Sequence, residues 1–407
     1  MGTTLLKNVR LEVGEEQLDT GIKTKTELFH VMIEAGKITG ISPAVEPITA
    51  EIAKTIDAKG KLAVPSFKDM HNHLDKTYLS LNWKAAVPVS SLRERLILEA
   101  EELSLLAPST KERAEKMIKS IISRGTTHIR THVNIDPYIG LKNLEGVAAA
   151  LAEFDDILTY DIVAFPQHGL LRHDVPQLMR EALRSGATMV GGLDPGGIDH
   201  AVERSLAQTM DLAVESGKPV DIHLHDNGHL GSYTVESWLQ LVEDSQEKIT
   251  SAFSHAFCLG QIGVGERQEI ITRLAAQQME ILSTIPISLG STLPPIDELT
   301  QAGVPVHLGC DGFYDSWRPY VSSDILEKAA HFCELTRKSD ERGLRAGLRH
   351  ITGGITPLDA KGNQIWPKIG DEASFVLADV ASSAELTARR PQKRQLIARG
   401  KEVEWER

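Results

Sequence analysis

The chain has 407 residues, 41% of them apolar and 25% charged, and carries a net charge of −12. That length suits a large barrel with an accessory domain better than one small core. The acidic balance, with no Lys/Arg-rich run, excludes nucleic acid as an expected partner. Apolar stretches reach only strand length and the N-terminus shows no cleavable signal pattern, so no membrane partner is expected and the cytoplasm is the expected location.

In chain order, the first sixty residues read as short strands: TTLLKNVRLEV, TELFHVMIEAGKITGISP with turns at Gly36 and Gly40, and KTIDAKGKLAV. The C-terminal segments GDEASFVLADVA and KRQLIARGKEVEW read the same way. The two ends are therefore expected to form one small β-sandwich, from residues 1–62 and 355–407, around a central domain at 63–354. In that central part, eight strand candidates alternate with helical patterns: AVPSFKDMH, THIRTHV, DIVAFPQ, TMVGGLD, PVDIHLH, TSAFSHA, EILSTIPIS and VPVHLGC. TKERAEKMIKSIISR and ERSLAQTMDLAVESG carry amphipathic helix spacing and stop near Gly125 and Gly217. Eight βα units close a (β/α)8 barrel, an α/β fold of the TIM type that places its chemistry at the C-terminal ends of the strands.

The strand period selects the chemistry. Successive side chains point to opposite faces, so His71 and His73 in HNH share a face, as do His223 and His225 in HLH. Asp311 ends the last strand candidate in the same fashion. A lone histidine in an apolar strand is more often a satisfied core residue, but two strand-end pairs plus a strand-end aspartate are hard to obtain by chance. Three imidazoles, His71, His73 and His223, with the Asp311 carboxylate suit one divalent metal ion. Zinc is the favoured ion, with iron or manganese as alternatives set by availability. Cys310 beside Asp311 reads as a small buried strand residue rather than a thiolate ligand. The three cysteines show no CxxC spacing and point to no disulfide framework.

Further polar residues fall on the same rim. His255 would face the hydrolytic water or pack as a core histidine; Asp226 would ferry protons or cap the next helix, since Asp-Asn-Gly is also turn chemistry. Gln167 offers an amide suited to a ring N–H beside a carbonyl. Trp317 would cover a flat substrate or pack under a loop, and Lys76 would meet a substrate oxygen or be solvated. His132, His168 and Asp194 are held as supporting candidates.

The blocks HNHLDKTY, RTHVNID, VAFPQHG, VGGLDP, HLHDNG, SHAFCLG and GCDGFYDSW, in this order between residues 60 and 325, resemble the amidohydrolase superfamily, in particular its cytosine deaminase branch and the related N-isopropylammelide isopropylamidohydrolases. The resemblance implies metal ligation by His71, His73, His223 and Asp311, a histidine near the water at His255, and ring recognition by Gln167. Two-metal barrels of this kind need a bridging group, commonly a lysine, at the end of the fourth strand, and MVGGLDPGG has none, so a single metal is expected. Cytosine deaminases carry a glutamate three residues after the ligand histidine where this chain has Asp226, and His225 followed by Asp226 looks more like the triazine enzyme.

The expected activity is hydrolytic removal of an amino or alkylamino group from a small-molecule nitrogen heterocycle, with His225, Asp226, His255 and Asp311 moving protons. The alternatives are a cyclic amidohydrolase that opens a ring amide and a catalytically silent ligand-binding barrel. A homo-oligomer stays open.

Overall fold

The computed structural model describes residues 2–404 apart from positions 108, 173, 291, 321 and 322. The N-terminal segment forms β1 (Thr4–Leu18), β2 (Gly21–Glu34), β3 (Lys37–Pro43), β4 (Lys54–Asp57) and β5 (Leu62–Pro65). The central strands are β6 (Phe67–Asn72), β7 (Thr126–Asn134), β8 (Thr159–Phe165), β9 (Met189–Leu193), β10 (Val220–Leu224), β11 (Ser251–His255), β12 (Glu280–Ser283) and β13 (Val306–Leu308). The chain finishes with β14 (Phe375–Ala378), β15 (Arg394–Ala398) and β16 (Lys401–Glu402).

β5 sits between β1 and β14, so strands from both ends of the chain share one curled sheet in the order β16-β15-β14-β5-β1-β2-β3, with β4 paired to β1. Its alternating apolar residues, among them Leu6, Val9, Val31, Ile33, Phe375 and Leu377, pack into a core of their own. The apolar run before the first histidine pair divides: LAVP belongs to this sheet as β5, and after Ser66 the barrel strand β6 begins at Phe67. The segment AVPSFKDMH, expected as one strand, is thus shared between two sheets. Pro65 cannot donate a ladder hydrogen bond, which suits the break.

β6 to β13 pair in sequence order, with parallel ladders from each strand to the next, and all eight strand candidates contribute. The helices that return the chain across the outside bury Met117, Ile118, Leu206, Leu212, Val235 and Trp238 against the strands in the main core. The helix Val202–Ser216 ends on Gly217 at φ 64, the left-handed cap glycine favours. No helix among the described residues is long and apolar enough to cross a membrane.

The cylinder closes at β13 and β6. Asn72 bridges Asp311 in parallel register, and the Asp311 N–H donates to the His71 carbonyl at 2.7 Å. Such an approach leaves no room for a side chain at Gly309. A Cβ there would lie 2.3 Å from His71 Cβ and 2.5 Å from its carbonyl oxygen. Gly309→Ala is therefore expected to part the seam, lowering the thermal unfolding midpoint by about 5 °C or more. A midpoint equal to that of the wild-type protein would refute this account of closure.

Candidate metal centre and active site

Period two places Asp69 and His71 on the inner face of β6, Arg130 and His132 on that of β7, and Asp221 and His223 on that of β10. His73 and His225 continue two of these rows just beyond the strand ends. On β11 the alternation breaks, because Ser254 bonds to Asp221 in the bore while the next residue, His255, packs its ring 4.8 Å from that of His71. His255 achieves this at φ 72, and Asp194 and Asp311 at the ends of β9 and β13 have φ 36 and 65. Three non-glycine residues in the left-handed region cost on the order of 1 kcal/mol each. The strain lies at the rim, where each turns its side chain toward the centre.

The rings converge. Single ligating atoms of His71, His223 and His255 lie within 4.8 Å of one another, as do those of His71, His73 and Asp311. Asp311 Oδ1 is 3.5 Å from His73 Nε2 and 3.8 Å from His71 Nε2. Burial holds His71, His223 and His255 well below the ordinary histidine range, so each offers a neutral lone pair. Burial opposes charge on Asp311 as well, but His73, His255, Arg318 and His71 around it outweigh that and hold its carboxyl well below the usual range.

These residues fit a divalent cation on one observation of the structure itself. His71 Nε2 and both ring nitrogens of His223 are buried with no hydrogen-bond partner. Orphaned polar atoms in a barrel interior are costly unless something outside the chain satisfies them, and three imidazoles facing a carboxylate are the donor set of a zinc-type site. The other nitrogens are fixed: His71 Nδ1 is 2.8 Å from Ser254 Oγ, and His73 Nδ1 is 3.1 Å from the His132 carbonyl. His132 itself is buried beneath, its ring 4.3 Å from those of both His71 and His223.

His225 and Asp226 part company. His225 Nδ1 is 2.9 Å from Asp194 Oδ2, and the other Asp194 oxygen accepts from the His225 and Asp226 amides. Burial lowers the affinity of His225 for a proton, but Asp194 reverses this and its pKa is raised. Asp226, expected to back His225 as a proton carrier, has other partners in this geometry. Its carboxylate turns away to accept from the Gly196 and Gly197 amides, both at 3.1 Å, and it does not cap the helix Gly228–Asp244 either.

A cavity of about 680 Å³ opens above the cluster and is lined by His225, Asp311, Gln167, Trp317 and Lys76 among others. Lys76 is not a solvated loop residue: it is buried, 3.2 Å from Glu99 Oε1 and 3.4 Å from Gln167 Oε1. Glu99 also accepts from Asn134 at 2.8 Å and from the Trp317 indole N–H. Burial opposes its charge, but Lys76 and these donors win and its pKa is lowered. Sequence reasoning missed Glu99. It sits in LRERLILEAEEL, the helix Leu92–Leu103, where one acidic residue among several resembles a solvated face. Its only signal was the four-residue recurrence Leu92, Leu96, on the face that lines the cavity. His168 pairs with Asp136, 3.9 Å away, to one side.

A family model described as "Amidohydrolase family" matches residues 54–403. The chain is 40% identical over 388 residues to the uncharacterized protein YahJ of Escherichia coli, covering 94% of this chain and 84% of that one. It is 28% identical over 315 residues to the N-isopropylammelide isopropyl amidohydrolase of Pseudomonas sp., covering 76% of each. The crystal structure of N-isopropylammelide isopropylaminohydrolase from Burkholderia multivorans superposes with a TM-score of 0.85 at 28% identity, over 99% of this chain and 98% of that one.

His71→Ala and His223→Ala are each expected to abolish stoichiometric zinc binding, since each removes an imidazole from the cluster. Elemental analysis of the purified variants checks this. Full metal content in both would refute the assignment of these histidines.

Proposed function

The chain belongs to the amidohydrolase family and is a hydrolase of C–N bonds, and from that premise we propose that it removes an amino or alkylamino group from a nitrogen heterocycle of the aminotriazine or aminopyrimidine kind. The observation that carries the reading is the pairing of a one-cation donor set with a proton-carrying His225 on the wall of the same cavity. The relatives that act on N-isopropylammelide support the substrate class.

His71, His73, His223 and Asp311 would hold one divalent cation, zinc by the ordinary affinity order. When bound, such an ion supplies Lewis acidity that makes water a usable nucleophile near neutral pH. Single-ion chemistry is supported at the end of β9, where a bridging lysine is lacking and Asp194 is occupied with His225.

The remaining steps fall to side chains of the chain. Water attacks the ring carbon that bears the exocyclic nitrogen. Asp311, kept ionised by its surroundings, accepts the proton released, and His255, kept neutral, orients the attacking oxygen. Against the opposing effect of burial, Asp194 holds the Nδ1–H of His225 and raises its pKa, so the ring carries a second proton on Nε2, which it donates to the ring nitrogen of the substrate. Asp311 passes the proton it took from water to the exocyclic nitrogen, the C–N bond breaks and the amine leaves, and the remaining hydroxyl proton returns to His225 as the ring keeps the water oxygen as a carbonyl. Gln167 reads a ring N–H and the neighbouring carbonyl through its amide. Lys76, pointing into the same wall, meets a ring oxygen, and Trp317 covers the flat face.

Incubation with a panel of aminotriazines, aminopyrimidines and aminopterins should release ammonia or alkylamine from at least one ring class. Opening of a ring amide with no amine release would instead favour the cyclic amidohydrolase. On the substrate so found, Asp194→Asn is expected to lower kcat by about a hundredfold or more, because the imidazole loses its fixed tautomer, and Asp226→Asn by about tenfold at most. The reverse order would return the proton-relay role to Asp226.

A further inference from the structure

Below the metal-facing imidazoles, the barrel bore holds polar groups that the proposed reaction does not use. Asp221 precedes His223 by two residues and so lies on the same face of β10, one layer deeper and fully buried. Ser254, on the neighbouring strand β11, donates from Oγ to Asp221 Oδ1 at 2.7 Å, and Ser254 Oγ is also 2.8 Å from His71 Nδ1. The second Asp221 oxygen accepts from Arg130 Nη1 at 3.2 Å. Arg130 is pinned in turn by Asp161 at 3.2 Å and Glu280 at 3.1 Å.

The direction of these bonds carries information. A hydroxyl has one hydrogen, and Ser254 gives it to the Asp221 carboxylate, which Arg130 holds from the other side. With its hydrogen given to Asp221, Ser254 can only accept from His71. That places the ring proton on Nδ1 and leaves the lone pair on Nε2, the buried nitrogen that has no hydrogen-bond partner and lies 3.8 Å from Asp311 Oδ1.

We propose that Ser254 and Asp221 are positioning residues that fix His71 as an Nε2 donor and thereby set how tightly the divalent cation is held. The proposal rests on the metal site assigned above. Arg130, gripped by three carboxylates from three strands, anchors the chain of bonds so that Asp221 cannot swing away from Ser254. His73 shows the contrast: its Nδ1 faces a backbone carbonyl, which no substitution removes, whereas the orientation of His71 depends on a side chain. Outer partners of this kind typically change metal affinity by about 10- to 100-fold.

The test measures zinc affinity by chelator competition for the wild-type protein, Ser254→Ala and Ser254→Thr, together with the unfolding midpoints of the metal-free forms. Ser254→Ala is expected to bind zinc about 10- to 100-fold more weakly with an unchanged metal-free midpoint, and Ser254→Thr, which keeps the hydroxyl, within about threefold of wild type. Wild-type affinity in Ser254→Ala overturns the proposal while leaving the metal site standing. A wild-type protein that binds no zinc overturns the metal site and the proposal with it. Should Ser254→Ala fail to fold, nitrogen-15 spectra of the metal-free wild-type protein decide: a His71 protonated at Nδ1 supports the relay, and a lone pair there overturns it.

Discussion

Closure of the barrel is the constraint on which the rest of this structure depends. An eight-stranded cylinder has no edge, so its last strand must return to its first with bonded register. Here the seam runs through the histidine and aspartate cluster: the Asp311 amide bonds to the His71 carbonyl, and the two side chains approach each other. The carboxylate from the last strand therefore meets the imidazoles of the first only when the cylinder is shut. A cation held by these four groups would favour the closed state by linkage, since an open seam offers it only part of the set.

The same geometry explains why the bore tolerates so many polar groups. Buried charge is destabilising unless paired, and the deeper layer pairs Arg130 with Asp161, Asp221 and Glu280. The layer above it is built from imidazoles whose burial keeps them neutral, with Asp311 as the negative group at the mouth. At the outer rim a second network, Lys76, Glu99, Asn134 and Trp317, ties the helix Leu92–Leu103 to the cavity wall. Charge balance changes from layer to layer, and the imidazole layer lies between two whose charged groups are paired, Arg130 with its carboxylates below and Lys76 with Glu99 above.

Much of this was legible in the sequence because a strand has only one period. Apolar runs with helical intervals disclosed the eight barrel strands, and HNH, HLH and the aspartate after VPVHLGC disclosed which side chains share a face. What failed was local direction beyond a strand end. Asp226 and Asp194 both follow strand ends, and only the left-handed turn at Asp194 shows that it, and not Asp226, reaches His225. Glu99 was hidden because a long excursion between β6 and β7 folds back over the mouth, and pattern reading treats an acidic helix face as solvated. Ser254 escaped notice for a related reason. Alternation cannot put neighbours on one face, and the positive φ at His255 does so.

The sheet outside the barrel has a consequence for how the polypeptide comes into being. β5 lies between β1 and β14, so its hydrogen-bonding flank is completed by residues made more than three hundred positions later. During synthesis the row of backbone groups along Leu62–Pro65 waits without its neighbour while the whole cylinder is being threaded. Such a bare flank is what promotes strand-to-strand association between nascent molecules. A ribosome product that stopped short of Phe375 would thus expose a sticky ribbon even if His71, His73, His223 and Asp311 were already in place.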